Sequence, residues 1–133
     1  MDNLKILIQC NAAEISRFNK RIHETVLHRG SSARQNDQWI RACDDFHARY
    51  DRLAFLGGYF GASVRLLAGD QTGIEAALCF LEVRPYFFRS GYMYQELLRK
   101  LKRVPLTPEQ EARLDQVISR QAAWKAQRAT SRR

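Results

Sequence analysis

The densest chemistry in the chain lies in Arg84-Pro85-Tyr86-Phe87-Phe88-Arg89-Ser90-Gly91-Tyr92-Met93-Tyr94, which gathers two guanidinium groups and three phenols around a proline. Guanidinium and phenol groups together can stack on bases, hold a phosphate at a helix start near Ser90, or anchor a protein partner. A plainer reading puts Tyr86, Phe87, Phe88 and Tyr92 in the core and pairs Arg84 and Arg89 with acids such as Glu82. Further along, Arg99, Lys100, Lys102 and Arg103 form a second basic group.

Other residue pairs point to metal chemistry. Asp44, His47 and Asp51 recur at helical steps, as do Glu24 and His28. Helical bundles build metal sites from Glu-x-x-His elements on facing helices. Here the spacing is Asp-x-x-His once and Glu-x-x-x-His once, and further carboxylates would be needed. His23 and His28 stand one residue too far apart for the zinc-protease helix His-Glu-x-x-His. Helix-internal ion pairs, such as Asp45 with Arg41 and Arg49, explain these acids more simply. No metal or cofactor is therefore expected.

Nucleophilic chemistry has less support. The chain has no Gly-x-Ser-x-Gly elbow. Gly57-Gly58-Tyr59-Phe60-Gly61 lacks the Lys-Ser/Thr of a P-loop and follows a helical pattern, so it reads as a tight helix–helix turn. Cys10, Cys43 and Cys79 are odd in number and widely spaced, without a Cys-x-x-Cys pair. They read as small buried hydrophobes in a reducing compartment. The expectation is a protein that is not an enzyme.

The elements that must position these residues are helices. Leu4, Leu7, Ile8, Ile15, Phe18, Ile22 and Val26 trace one helical face, from a cap at Asp2 to a stop at Arg29-Gly30. Leu4-Ile6-Ile8 taken alone also fits a strand. A polar loop at 30–35 follows, then a helix over 36–56 with a stripe at Trp39, Cys43, Phe46, Tyr50 and Leu53. A short helix over 59–67 comes after the glycines.

Two capping boxes are visible, Thr72-Gly73-Ile74-Glu75 and Thr107-Pro108-Glu109-Gln110. The first opens a fourth helix that ends at Arg84-Pro85. Ser90 is expected to cap a fifth helix over 91–103, with Leu97, Leu98, Leu101 and Val104 inward and Pro105 beyond its end. The second box opens a sixth helix over 108–127 with Leu114, Val117, Ile118, Ala122 and Trp124. No segment alternates like paired strands. The fold class is all-α: one compact domain of about six antiparallel helices over 1–127, as a bundle or short helical-hairpin array, then a basic, frayed tail at 128–133.

Ala77-Leu78-Cys79-Phe80-Leu81-Glu82, Pro85 to Tyr92 and Leu97 to Arg103 carry a resemblance. The stretch 73–114 resembles the helix–turn–helix units of small bacterial proteins with HEAT- or armadillo-like packing, and small bacterial adaptor or immunity-type proteins. That resemblance implies a protein-binding scaffold without enzymatic activity. No fixed-period repeat accompanies it.

Charge then ranks the partners. The chain has 133 residues with 22 basic and 14 acidic side chains, net +8. Setting aside the five basic residues of 120–133 leaves 17 basic against 14 acidic, or +3, in the helical body. A nearly balanced body favours a protein partner, acidic in character, over a dedicated nucleic-acid ligand. The expected function is a non-enzymatic interaction module (adaptor, scaffold or immunity-type inhibitor). Its partner-binding residues are Arg84, Tyr86, Arg89, Tyr92, Tyr94, Arg99, Lys100, Lys102 and Arg103. RNA or DNA binding by the basic turn and tail is the alternative, and a metal-dependent helical-bundle enzyme stands behind it. The chain shows neither a membrane-length apolar run nor a signal-peptide pattern, so a cytoplasmic location is expected.

Overall fold

Ile74, Ala76, Ala77, Leu78, Cys79, Phe80 and Leu81 leave only a narrow polar edge on their helix, so that helix must be enclosed by others. A computed structural model, which describes residues 2–131, shows how. The elements are α1 (Asp2–Val26), α2 (Ala33–Ala54), α3 (Ala62–Leu67), α4 (Gln71–Val83), α5 (Ser90–Leu101) and α6 (Pro108–Ser131). There is no strand among the described residues. α4 packs against α1, α3, α5 and α6, and α2 lies along α1. The protein is an all-α helical bundle.

The α1–α2 pairing is antiparallel. Arg29 lies over Trp39, Arg21 pairs with Asp45 at 2.6 Å, and Arg49 lies over Phe18, so residue numbers rise in one helix as they fall in the other. Asp45 thus bonds across the hairpin to Arg21, rather than along its own helix to Arg41 and Arg49. α4 and α6 instead run parallel: Gln110 meets Gln71, Arg113 meets Glu75 and Glu82, and Trp124 meets Arg84. The antiparallel rule holds for the hairpin and not for this pair.

The first turns of α1 are helical, with Ile8 on the core and Ile6 outward. Asp2, expected as a cap, already belongs to the helix. α2 starts earlier than expected because Ser32 caps it, accepting from the Gln35 amide at 3.1 Å. α3 begins only at Ala62, since Tyr59 and Phe60 are held in the glycine turn. In that turn Gly57 and Gly58 take φ 78 and 96°, which side chains resist. Arg65 donates to the carbonyls of Leu56 at 2.9 Å and Gly58 at 2.5 Å, and Asp51 accepts from the Phe60 amide at 2.7 Å.

The second capping box forms in full. The Gln110 amide donates to Thr107 Oγ1 at 3.2 Å, and the Thr107 amide donates to Gln110 Oε1 at 3.0 Å. The first does not form. Asp70 caps α4 in place of Thr72, accepting from the Gly73 amide at 3.3 Å. Glu75 cannot reach back, because its carboxylate is bound elsewhere. α6 is helical through Ser131, so the tail expected from 128 is helix as far as it is described, and Arg132 and Arg133 lie outside the described residues. Ala, Gln and Arg favour helix there, and Arg128 stacks on Trp124 one turn back.

Glu75 is bound to Arg113 of α6. Arg113 donates to both Glu75 oxygens at 2.8 Å and to Glu82 at 2.5 and 3.1 Å, while Lys5 of α1 reaches Glu82 at 3.5 Å. The cluster ties α1, α4 and α6 along the only polar edge of α4. The Arg113 bonds hold the Glu82 carboxyl below the usual carboxylate range, against the opposing effect of burial, and Lys5 adds to the lowering. A lowered folded pKa stabilises above the ordinary value and is lost as pH falls through the folded one. Chemical denaturation should therefore show wild type losing stability as pH falls below the ordinary glutamate value of about 4.5, with that slope flattened in Glu82→Gln. At neutral pH, Glu82→Gln should cost about 2 kcal/mol. Thr107→Ala should cost about 1 kcal/mol, while Thr72→Ala should leave the denaturation midpoint unchanged.

Candidate interaction surface

The α4–α5 corner is built from two left-handed arginines. Pro85 cannot continue α4, and Arg84 caps its end at φ 51°, ψ 64°, with its amide donating to the Phe80 carbonyl at 2.8 Å. Arg89 takes φ 68° immediately before α5. Such angles strain a residue that has a Cβ, so the surroundings must hold them. Tyr50 of α2 donates its hydroxyl to the Phe88 carbonyl at 2.6 Å. The Phe87 amide donates to Ser90 Oγ at 3.0 Å, and Phe87 packs its ring against Phe80 and Tyr50. Ser90 therefore closes the turn from inside α5 and does not cap it; Arg89 occupies the cap position, without a side-chain cap bond. Burial pushes the Tyr50 phenol up, so it remains a donor at neutral pH.

With Phe87 turned inward, its neighbours face out. Tyr86 is 91% exposed, Tyr92 66% and Phe88 48%, so the expectation that they fill the core fails and Phe87 alone does so. Tyr94 is 4% exposed and is no contact residue; it forms the floor under Arg84. The Arg84 guanidinium lies 4.8 Å from the Tyr94 ring and 4.5 Å from Trp124, and Arg128 lies 4.8 Å from Trp124. Arg89 lies over Phe88. Neither arginine pairs with Glu82, whose carboxylate belongs to Arg113 and Lys5.

Tyr92, Arg99 and Lys102 share one outward face of α5, lining a shallow depression of about 350 Å³. Arg99 pairs with Glu96, one turn back. Arg103 is exposed in the turn beyond, while Lys100 is half-buried beside the core face. A helix of 12 residues is about 18 Å long, so the loop and the basic turn sit at opposite ends of α5, joined by this face.

The other candidates are dispersed. Glu24, His28, Asp44, His47 and Asp51 are all exposed. Among the described residues, no group of three or more His, Cys, Asp or Glu is placed to hold a metal ion. Cys79 is buried and Cys43 half-buried, but Cys10 is exposed, because it lies off the inward stripe of α1. Burial pushes the Cys79 thiol up, which keeps it protonated.

Two features escaped the sequence. Phe60 at 97%, Val64 and Leu67 are all exposed, although they are large and apolar. Trp124, expected among the inward residues of α6, instead carries two guanidinium groups; its step of four to Arg128 was the only signal. No protein-family model, curated protein or solved structure matches the chain. Among the described residues, no helix is long and apolar enough to cross a membrane.

Tyr50→Phe tests the corner. Removing the hydroxyl leaves the Phe88 carbonyl without that donor, at a cost of about 1 kcal/mol. Hydrogen exchange at the amides of residues 86–90 should accelerate more than exchange in α4. Equal acceleration in both would place the corner's support elsewhere.

Proposed function

We propose that the protein is a non-enzymatic interaction module that binds a protein partner through the α4–α5 corner and the outward face of α5. The observation that carries this reading is the rigid outward presentation of Tyr86, Tyr92 and Phe88 among basic side chains. Large apolar rings on a solvent face mark contact surfaces when they are grouped. Tyrosine and arginine dominate the energetics of such contacts. The corner is held by hydrogen bonds to Tyr50 and Ser90, so little ordering entropy remains to be lost on binding.

The contact residues of this reading are Arg84, Tyr86, Arg89, Tyr92, Arg99, Lys102 and Arg103, with Lys100 at the margin. The resemblance of 73–114 to helical scaffold proteins, and to adaptor or immunity-type proteins, points the same way. Exposed arginine and lysine favour an acidic partner, whose association should be faster at low salt. A cytoplasmic setting belongs to the same proposal.

The test is affinity capture from lysate of the native host, with and without nuclease treatment, comparing wild type with Arg89→Glu/Lys102→Glu by quantitative mass spectrometry. Both side chains are exposed, so the variant should fold with an unchanged helical spectrum. A partner enriched by wild type should fall about tenfold or more with the variant. Identical capture by both proteins, or enrichment that disappears on nuclease treatment, would overturn the reading.

A further inference from the structure

Tyr86 stands between two open clefts. On one side, Ser16, Asn19, Lys20 and His23 of α1 face Phe88 and Arg89 across about 530 Å³. On the other, Arg84, Tyr94 and Gln95 face Trp124 across about 450 Å³. Tyr86, Ser90 and Gly91 line both, so the clefts meet over the corner. No carboxylate lines either of them. Among the described residues, no acid lies within ion-pair distance of Arg84 or Arg89, while Lys20 has Glu24 at 3.8 Å.

We infer that this groove receives an extended acidic segment of the partner, whose carboxylates meet Arg84 and Arg89 on either side of Tyr86. The inference rests on the protein-binding reading and narrows it to one groove and one ligand chemistry. Each arginine lies over a ring, Arg84 over Tyr94 and Trp124 and Arg89 over Phe88. With no acid beside them, their N–H groups are left to offer a carboxylate the planar fork that matches it. An extended segment suits the groove because its two clefts share only Tyr86, Ser90 and Gly91, so a ligand that reaches both arginines passes over Tyr86.

The same stacking disfavours a nucleic-acid strand. Non-specific single-strand binding needs a series of open rings for successive bases. Here the Trp124 ring carries two guanidinium groups, Phe88 carries one, and Tyr94 is buried. Among the rings that line the groove, Tyr86 alone is open.

The full chain should be panned against a phage-displayed library of random dodecapeptides. An enriched peptide is then measured by fluorescence anisotropy, with a single-stranded oligothymidine as competitor. Sequences with several Asp or Glu should enrich. Tyr86→Ala and Arg89→Gln, both exposed positions, should each weaken the peptide about tenfold. Arg84→Lys keeps the charge and loses the fork, and should weaken it as well. Arg34→Gln/Arg41→Gln, exposed on α2 and outside the contact residues, should change affinity by less than about twofold. Enrichment of peptides without acids, or no enrichment, overturns the groove. Acidic peptides that respond only to Arg99→Gln/Lys102→Gln overturn the groove and leave the protein-binding reading standing. Displacement of the peptide by oligothymidine at lower concentration overturns both.

Discussion

The whole arrangement follows from enclosing α4. A helix apolar around most of its circumference is stable only when other elements cover that surface, and four helices do so here. Its one polar edge is set by Glu75 and Glu82, two turns apart, and both carboxylates would be costly to leave half-buried and unpaired. Arg113 meets both with one planar group. That bond fixes the position of α6 along α4, and with it the place where Trp124 arrives. The indole then lies over Arg84, at the point where α4 ends. The core and the candidate surface are therefore linked by one chain of contacts, from Glu82 through Arg113 and α6 to Arg84.

The helices were legible because their signals are local. Pro105 and Pro108 bracket a turn, and Thr107 with Gln110 forms both bonds its pattern requires. Thr72 and Glu75 carry the same pattern and fail, since Arg113, remote in sequence, binds the carboxylate that the box needs. Tyr94 could have been read correctly. It lies at helical steps from Leu97, Leu98 and Leu101, all of which are buried with it. Tyr92 lies off that stripe and is exposed. The groove was not legible at all. Ser16 to His23 and Tyr86 to Gly91 meet only through the packing of α1 on α4, and nothing in either segment records the other.

The strain in the corner has a structural origin and a functional consequence. Arg84 and Arg89 are left-handed because the chain must leave the buried α4, pass Pro85, and insert Phe87 into the core before α5 begins. Glycine would take those angles more easily. Arginine there projects a long cation outward from each end of a short, tightly bonded segment, and aromatic faces restrict its motion. A loop already ordered in the free protein loses less entropy when a partner arrives.

Charge distribution then matters more than net charge. The acids of the body are largely engaged: Glu75 and Glu82 by Arg113, Asp45 by Arg21, and Asp51 by the Phe60 amide. None of them lines the groove, whose arginines lie over aromatic rings with no acid beside them. The excess charge of +8 is in part a property of the α6 end and the residues after it. At physiological salt, exposed charges are screened beyond about 8 Å. In the proposed complex the distant cations would act mainly on the rate of encounter, and the arginines beside Tyr86 on what stays bound. On the proposed reading, such a surface would discriminate by where a ligand places its carboxylates, because a diffuse polyanion gains from spread charge and not from two separated arginines.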